Sequence, residues 1–149
     1  MGLVLGIDVG SQSLKAVLLD EALKPLGSAR RSYPIALPKP GWAEQDPALW
    51  EAALAPAIAE ALSMAGRKPE DVGALGLAGQ LDGCIPVARD GKVLHPCLVW
   101  MDRRADDALD AVRRRIDPAT IRARTGANLD GSHMAPKILW LLDAVPKAR

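Results

Sequence analysis

At 149 residues the chain suits one domain with a real core. Apolar residues make up 49% and charged residues 25%, an ordinary soluble balance, and no stretch reaches the roughly 18 apolar residues needed to span a bilayer. The net charge of +1 gives no dominant basic face, which argues against nucleic acid as the main partner.

In chain order, the β-branched and leucine-rich run Leu3 to Val9 predicts a buried strand. Leu14 to Leu19 is a second apolar run, and the short turn Gly10-Ser11-Gln12-Ser13 between them makes a hairpin. Gly10 suits positive φ and close approach of the main chain to a ligand. The hydroxyls of Ser11 and Ser13, with neighbouring N–H groups, form a concave donor set suited to phosphate oxygens. Lys15 adds a point charge, unless alternation turns it away. Asp8, at the mouth of the strand, is suited to Mg²⁺, held directly or through water. The plainer alternative is a polar turn between two core strands. Neither the P-loop nor the dinucleotide-binding pattern is present.

Ser28 to Ile35 predicts a third strand, giving an antiparallel meander, after which Pro34, Pro38, Pro40 and Gly41 form an irregular crossing. Asp46-Pro47 is a helix start, and apolar residues at helical spacing run from Leu49 to about Gly66, with Pro56 expected to kink or divide the helix. Val72 to Ala78 reads as a buried strand parallel to the first sheet, opening into Gly79-Gln80-Leu81-Asp82-Gly83. That loop is either ligand-facing or a hairpin corner. Cys84–Ala88 and Lys92–Pro96 predict a hairpin across Asp90-Gly91.

Leu98-Val99-Trp100 leads into Met101-Asp102-Arg103-Arg104. A helical stripe then runs from Arg104 to Ile116, and Arg113-Arg114-Arg115 reads as a dipole-favoured helix end rather than a nucleic-acid patch. Asp117-Pro118 begins a short helix ending near Gly126, Ala127 to Met134 is a polar loop, and Pro136 to Leu142 opens a last helix carrying Trp140. Gly131-Ser132-His133-Met134 has the look of a cleaved-tag scar, but it lies inside the chain and reads as native. A meander followed by alternating helix and strand is an α/β layout.

Cys84 and Cys97 are two lone cysteines and the start has no signal-peptide pattern, which together imply a reduced, cytoplasmic setting. Cys84, His95 and Cys97 are too scattered for a closed zinc site. His133, in its loop, has no neighbouring acid or nucleophile to suggest a triad. Asp8, Asp82 and Asp102 share a place at strand ends, where open α/β sheets bind ligands.

The Gly6–Lys15 hairpin resembles the first phosphate motif of the actin-like sugar kinases. Gly41–Pro47, Gly76–Gln80, Trp100–Arg104 and Ala135–Trp140 are each similar to motifs of the FGGY carbohydrate kinases, in family order, with the likeness strongest to the xylulokinase branch. The resemblance implies a ribonuclease-H-like α/β domain with a mixed sheet, of which this chain covers the front part. It implies ATP-dependent phosphorylation of a ketopentose such as xylulose. Asp8 would position Mg²⁺, and Gly10, Ser11, Gln12, Ser13 and Lys15 would face the ATP phosphates. Gln80, Leu81, Asp82, Trp100 and Asp102 would line the sugar site. The family's catalytic base is expected beyond Arg149, so no catalytic residue is expected within the chain. Leu81-Asp82 departs from the Met-His of the xylulokinase branch and opens the choice of sugar. The alternatives are a non-catalytic sugar- or phosphate-binding module, or a kinase for another sugar or polyol. The expected partner is a small molecule, with neither nucleic acid nor membrane, and homo-association through surface left exposed by truncation.

Overall fold

The computed structural model describes residues 2–148. Where length alone suggested one domain, the backbone forms two compact units: residues through Ile35 with Asp46–Gln80, and Ala36–Gln45 with the residues from Leu81 onward.

The first unit is a four-stranded mixed sheet with one long helix. Strands β1 (Leu3–Val9), β2 (Ser13–Leu19) and β3 (Pro25–Ser32) form the antiparallel meander, and β5 (Val72–Gly79) pairs parallel with β1, giving the order β3-β2-β1-β5. The third strand begins three residues earlier than the sequence indicates and stops before Tyr33, whose N–H turns to the Gln12 carbonyl. Leu5, Ile7, Leu14, Ala16, Leu18 and Ala29 bury one sheet face against Ala53, Ala57, Ala61 and Leu62 of α1 (Ala48–Met64). Asp46 accepts the Ala48 N–H at 3.0 Å, the capping role its place before proline implies. Pro56, expected to kink or divide α1, sits inside one continuous helix of 17 residues. Packing of the alanine face on the sheet outweighs the one lost backbone hydrogen bond.

Strand β5 is paired as expected but is not buried. It lies at the sheet edge with one neighbour, and Leu75 and Leu77 are 59% and 71% exposed. A continuous apolar run says that a strand prefers cover, not that the cover is present.

The second unit contains β4 (Glu44–Gln45) and β6 (Cys97–Leu98), paired antiparallel, with α2 (Asp106–Arg113), α3 (Pro118–Thr125) and α4 (Met134–Ala144). Its interior includes Cys84, Leu98, Val99, Ala105, Leu109 and Leu141. The Asp90-Gly91 turn forms, with Gly91 at φ +86°, but the flanking strands reduce to one bridge, Val87 to Val93. Pro86 and Pro96 lack the donors a longer ladder needs. The helix expected from Arg104 to Ile116 is shorter, and α4 starts two residues ahead of Pro136. Helix α3 ends at Gly126, φ +74°, as its sequence indicates. No helix among the described residues is long and apolar enough to cross a membrane.

Candidate functional site

The first unit carries a polar hollow of about 250 Å³ lined by Gly10, Ser11, Gln12, Ser13, Lys15 and Arg30. All five candidate phosphate residues therefore line one concavity. Gly10 does not take the positive φ its role suggested. It is needed for closeness instead: its N–H donates to the Ser13 carbonyl at 3.1 Å, and a Cβ there would meet that oxygen at 3.2 Å.

Lys15 faces Asp8, its cross-strand neighbour, with Nζ 3.5 Å from Oδ2. Arg30, opposite Lys15 on β3, completes a row of charges across three strands. Sequence reasoning missed Arg30, because only the β2–β3 register brings it beside Lys15. A carboxylate, an ammonium and a guanidinium side by side suit a polyanion accompanied by a cation.

Tyr33 fixes this turn. Its hydroxyl donates to the Gly10 carbonyl at 2.7 Å, and its N–H donates to Gln12. Burial, with a smaller contribution from the Asp8 charge, raises the Tyr33 phenol above its usual pKa. Tyr33→Phe is expected to destabilise the chain by about 1 kcal/mol through the lost hydrogen bond to Gly10. The raised folded pKa means that this phenol's contribution is complete below 10.0, its ordinary value, and declines as pH rises through the folded one. Urea unfolding of both proteins across that range should give curves that converge at high pH.

The sugar candidates divide between the units. Gln80 closes the first, its N–H donating to the Val9 carbonyl at 3.1 Å. Leu81, Asp82, Trp100 and Asp102 lie in the second. Leu81 is exposed, Trp100 is 48% exposed, and Asp82 holds φ +54°, a strained conformation for a residue with a side chain.

Asp102 is not where the resemblance put it. It is fully buried, and its carboxylate accepts from the N–H groups of Ala43 (2.7 Å) and Arg104 (3.0 Å) and from the Arg104 guanidinium. Arg104, also buried, bonds Glu44 at 2.8 Å and lies 3.8 Å over the Trp42 ring. Asp102 is fully bonded within the interior, and these bonds tie the parts of the second unit together. Trp100 beside it is exposed, and the turn closed by the Asp102 N–H on the Val99 carbonyl at 2.9 Å points Asp102 inward.

Lys137 was visible only as part of a motif. It is fully buried, and Nζ donates to the Asp82 carbonyl at 2.8 Å and to the Val99 carbonyl at 2.9 Å. One ammonium thus clamps the Asp82 loop to the segment leading into Trp100. Lys137→Met would leave both carbonyls without that donor, a loss of about 2 kcal/mol after relief of the buried charge. Burial lowers the Lys137 pKa below 10.5, so the folded chain binds fewer protons than the unfolded one in the window beneath that value. Stability contributed by this group therefore rises with pH there and falls away as pH drops through the folded value. Followed at two alkaline pH values, unfolding should show this upward contribution lost in Lys137→Met, whose stability falls more steeply with pH than that of the unmodified chain.

His133 corrects a second expectation. It has an acidic neighbour after all: Nδ1 lies 3.3 Å from Asp82 Oδ2 across 51 positions of sequence. Its loop is set by Asp130, which accepts from the Ser132 N–H at 2.8 Å, the Ser132 hydroxyl at 2.7 Å and Arg103. These bonds pull the Asp130 carboxyl down to about 2. Cys97 is buried and its thiol is pushed up to about 11, which keeps it protonated and inert at neutral pH.

The sequence pattern of the FGGY family of carbohydrate kinases, N-terminal domain, matches residues 3–149. The chain belongs to that family. It is 41% identical to a glycerol kinase of Thermus brockianus, over 100% of this chain and 30% of that protein. Among solved structures, the xylulose kinase from Rhodospirillum rubrum superposes with a TM-score of 0.89 at 28% identity, over 98% of this chain and 30% of that one. The Plasmodium falciparum glycerol kinase with ADP gives a TM-score of 0.86 at 26% identity, over 99% and 30%. The chain thus spans about 30% of the length of these FGGY relatives. The mixed sheet with its meander and flanking helices is the family's ribonuclease-H-like fold.

Proposed function

We propose that the chain is the front part of a kinase that transfers the γ-phosphoryl group of Mg-ATP to a hydroxyl of a small carbohydrate. The observation that carries this reading is the hollow shared by the Gly10–Ser13 turn, Lys15 and Arg30, in a member of a carbohydrate kinase family. The residues fit the cofactor. Asp8 is a single, half-exposed carboxylate, and Mg²⁺ is held by one or two carboxylates plus phosphate oxygens and water. Among the described residues no group of three His, Cys, Asp or Glu side chains is placed to hold a bare ion, so phosphate would complete the coordination. When bound, Mg-ATP supplies the phosphoryl group; Lys15 and Arg30 add positive charge beside the phosphates, and Tyr33 keeps the turn in shape.

The acceptor we favour is a ketopentose such as xylulose. Glycerol is the second reading, supported by the glycerol kinase relatives and by Leu81-Asp82 in place of Met-His. The base that takes the acceptor proton lies outside this chain, and the chain by itself is inactive. Joining it to the remainder of the Thermus brockianus glycerol kinase, in place of the 30% of that enzyme it matches, tests both claims. The hybrid should release ADP with xylulose or glycerol, while the isolated chain releases none. A folded hybrid that is inactive on every polyol overturns the kinase reading.

Self-association is the remaining expectation. The edge of β5 has no strand partner among the described residues, and an exposed, uncharged strand edge templates pairing. Sedimentation velocity should show mass rising with concentration, and Leu77→Lys should abolish the rise.

A further inference from the structure

We propose that Asp82 and His133 form one acceptor pair that reads two neighbouring hydroxyls of the substrate, making His133 a specificity-determining residue. The inference rests on the carbohydrate kinase reading above. An ionised carboxylate only accepts, so a hydrogen bond between Asp82 Oδ2 and His133 Nδ1 requires the proton on Nδ1. Nε2 is then left with a lone pair. Neither Nε2 nor Asp82 Oδ1 has a partner among the described residues, and the two side chains are 41% and 38% exposed. Two adjacent acceptors match the two O–H donors of a vicinal diol, whereas a simple alcohol satisfies only one.

Both halves of the pair are held from behind. Lys137 grips the Asp82 carbonyl from a fully buried position and keeps the residue at φ +54°. His133 stands ahead of α4, its N–H bonded to the Asp130 carbonyl at 3.2 Å, and Asp130 in turn is tied to Ser132 and Arg103. The same Lys137 ammonium holds Val99, so the exposed indole of Trp100 follows directly from a clamped residue. That indole offers a surface for the C–H face of a polyol. The imidazole missing from the Gln80 loop is thus supplied by a different element.

The chain has two histidines, so the imidazole ¹⁵N spectrum contains two ring systems, and His133→Gln identifies one of them. His133 should appear as the Nδ1–H tautomer. Glycerol and D-xylulose should move its signals saturably, and 1-propanol should not. Asp82→Asn and His133→Phe should each weaken polyol affinity about tenfold. A polyol that shifts the Trp100 indole but leaves His133 unmoved overturns this inference and leaves the kinase reading standing. If neither Trp100 nor His133 responds to any polyol, both fall.

Discussion

Replacing Asp102 with alanine is expected to unfold the second unit, at a cost of about 3–5 kcal/mol. Asp102 and Arg104 both have fully buried side chains, and the pair is bonded through Nε and Nη2. Truncating the acid leaves a guanidinium in the interior with Glu44 as its remaining carboxylate partner. It also frees the N–H of Ala43, which the carboxylate accepts at 2.7 Å and which ties the segment before β4 to the turn after β6. The cost lies mainly in the stranded charge, so Asp102→Ala with Arg104→Met should recover part of the loss. Urea unfolding followed by tryptophan fluorescence is the measurement, since Trp42 and Trp140 both lie close to the Arg104 guanidinium. If Asp102→Ala leaves the midpoint untouched and lowers polyol affinity alone, Asp102 is a substrate ligand and the structural role is wrong.

Gly27→Ala should be nearly as damaging to the first unit. A Cβ at Gly27 would lie 2.3 Å from the Ala61 carbonyl oxygen, 3.1 Å from the Ala65 N and 3.3 Å from the Ala65 Cβ. The obstacles are helix backbone rather than the tip of a flexible side chain, so β3 and α1 must separate. Ala57 and Ala61 are fully buried in that contact, and moving the helix would open the alanine face that carries the core. Overpacking of this kind costs about 3 kcal/mol. Ser28→Ala, on the exposed side of the same strand, is the control and should be near neutral. The thermal midpoint decides it: equal midpoints for both variants would mean that α1 can shift freely on the sheet.

Buried groups in the chain should pull stability in opposite directions as pH rises. The Cys97 thiol, pushed up to about 11, and the Tyr33 phenol both favour the folded chain less as pH climbs past their ordinary values. Lys137 works in the opposite direction in the window beneath 10.5. Comparing Tyr33→Phe with Lys137→Met therefore separates contributions that oppose each other in the unmodified chain.

What the sequence determined by itself was local. The β1–β2 hairpin follows from two apolar runs around a four-residue polar turn, and α3 follows from Asp117-Pro118 at one end and Gly126 at the other. The parallel pairing of β5 with β1 follows from the helix between them. The family resemblance was legible for a related reason: its motifs are short contiguous stretches. Tertiary structure decided whatever depends on residues far apart in the chain. Arg30 joins the polar hollow through strand register, and Tyr33 reaches Gly10 across 23 positions. Asp82 meets His133 across 51 positions, and Asp102 is held inward by the Ala43 N–H across 59. Periodicity predicts which face of an element prefers to be dry. It does not say what will cover that face, which is why β5 reads as buried and stands exposed.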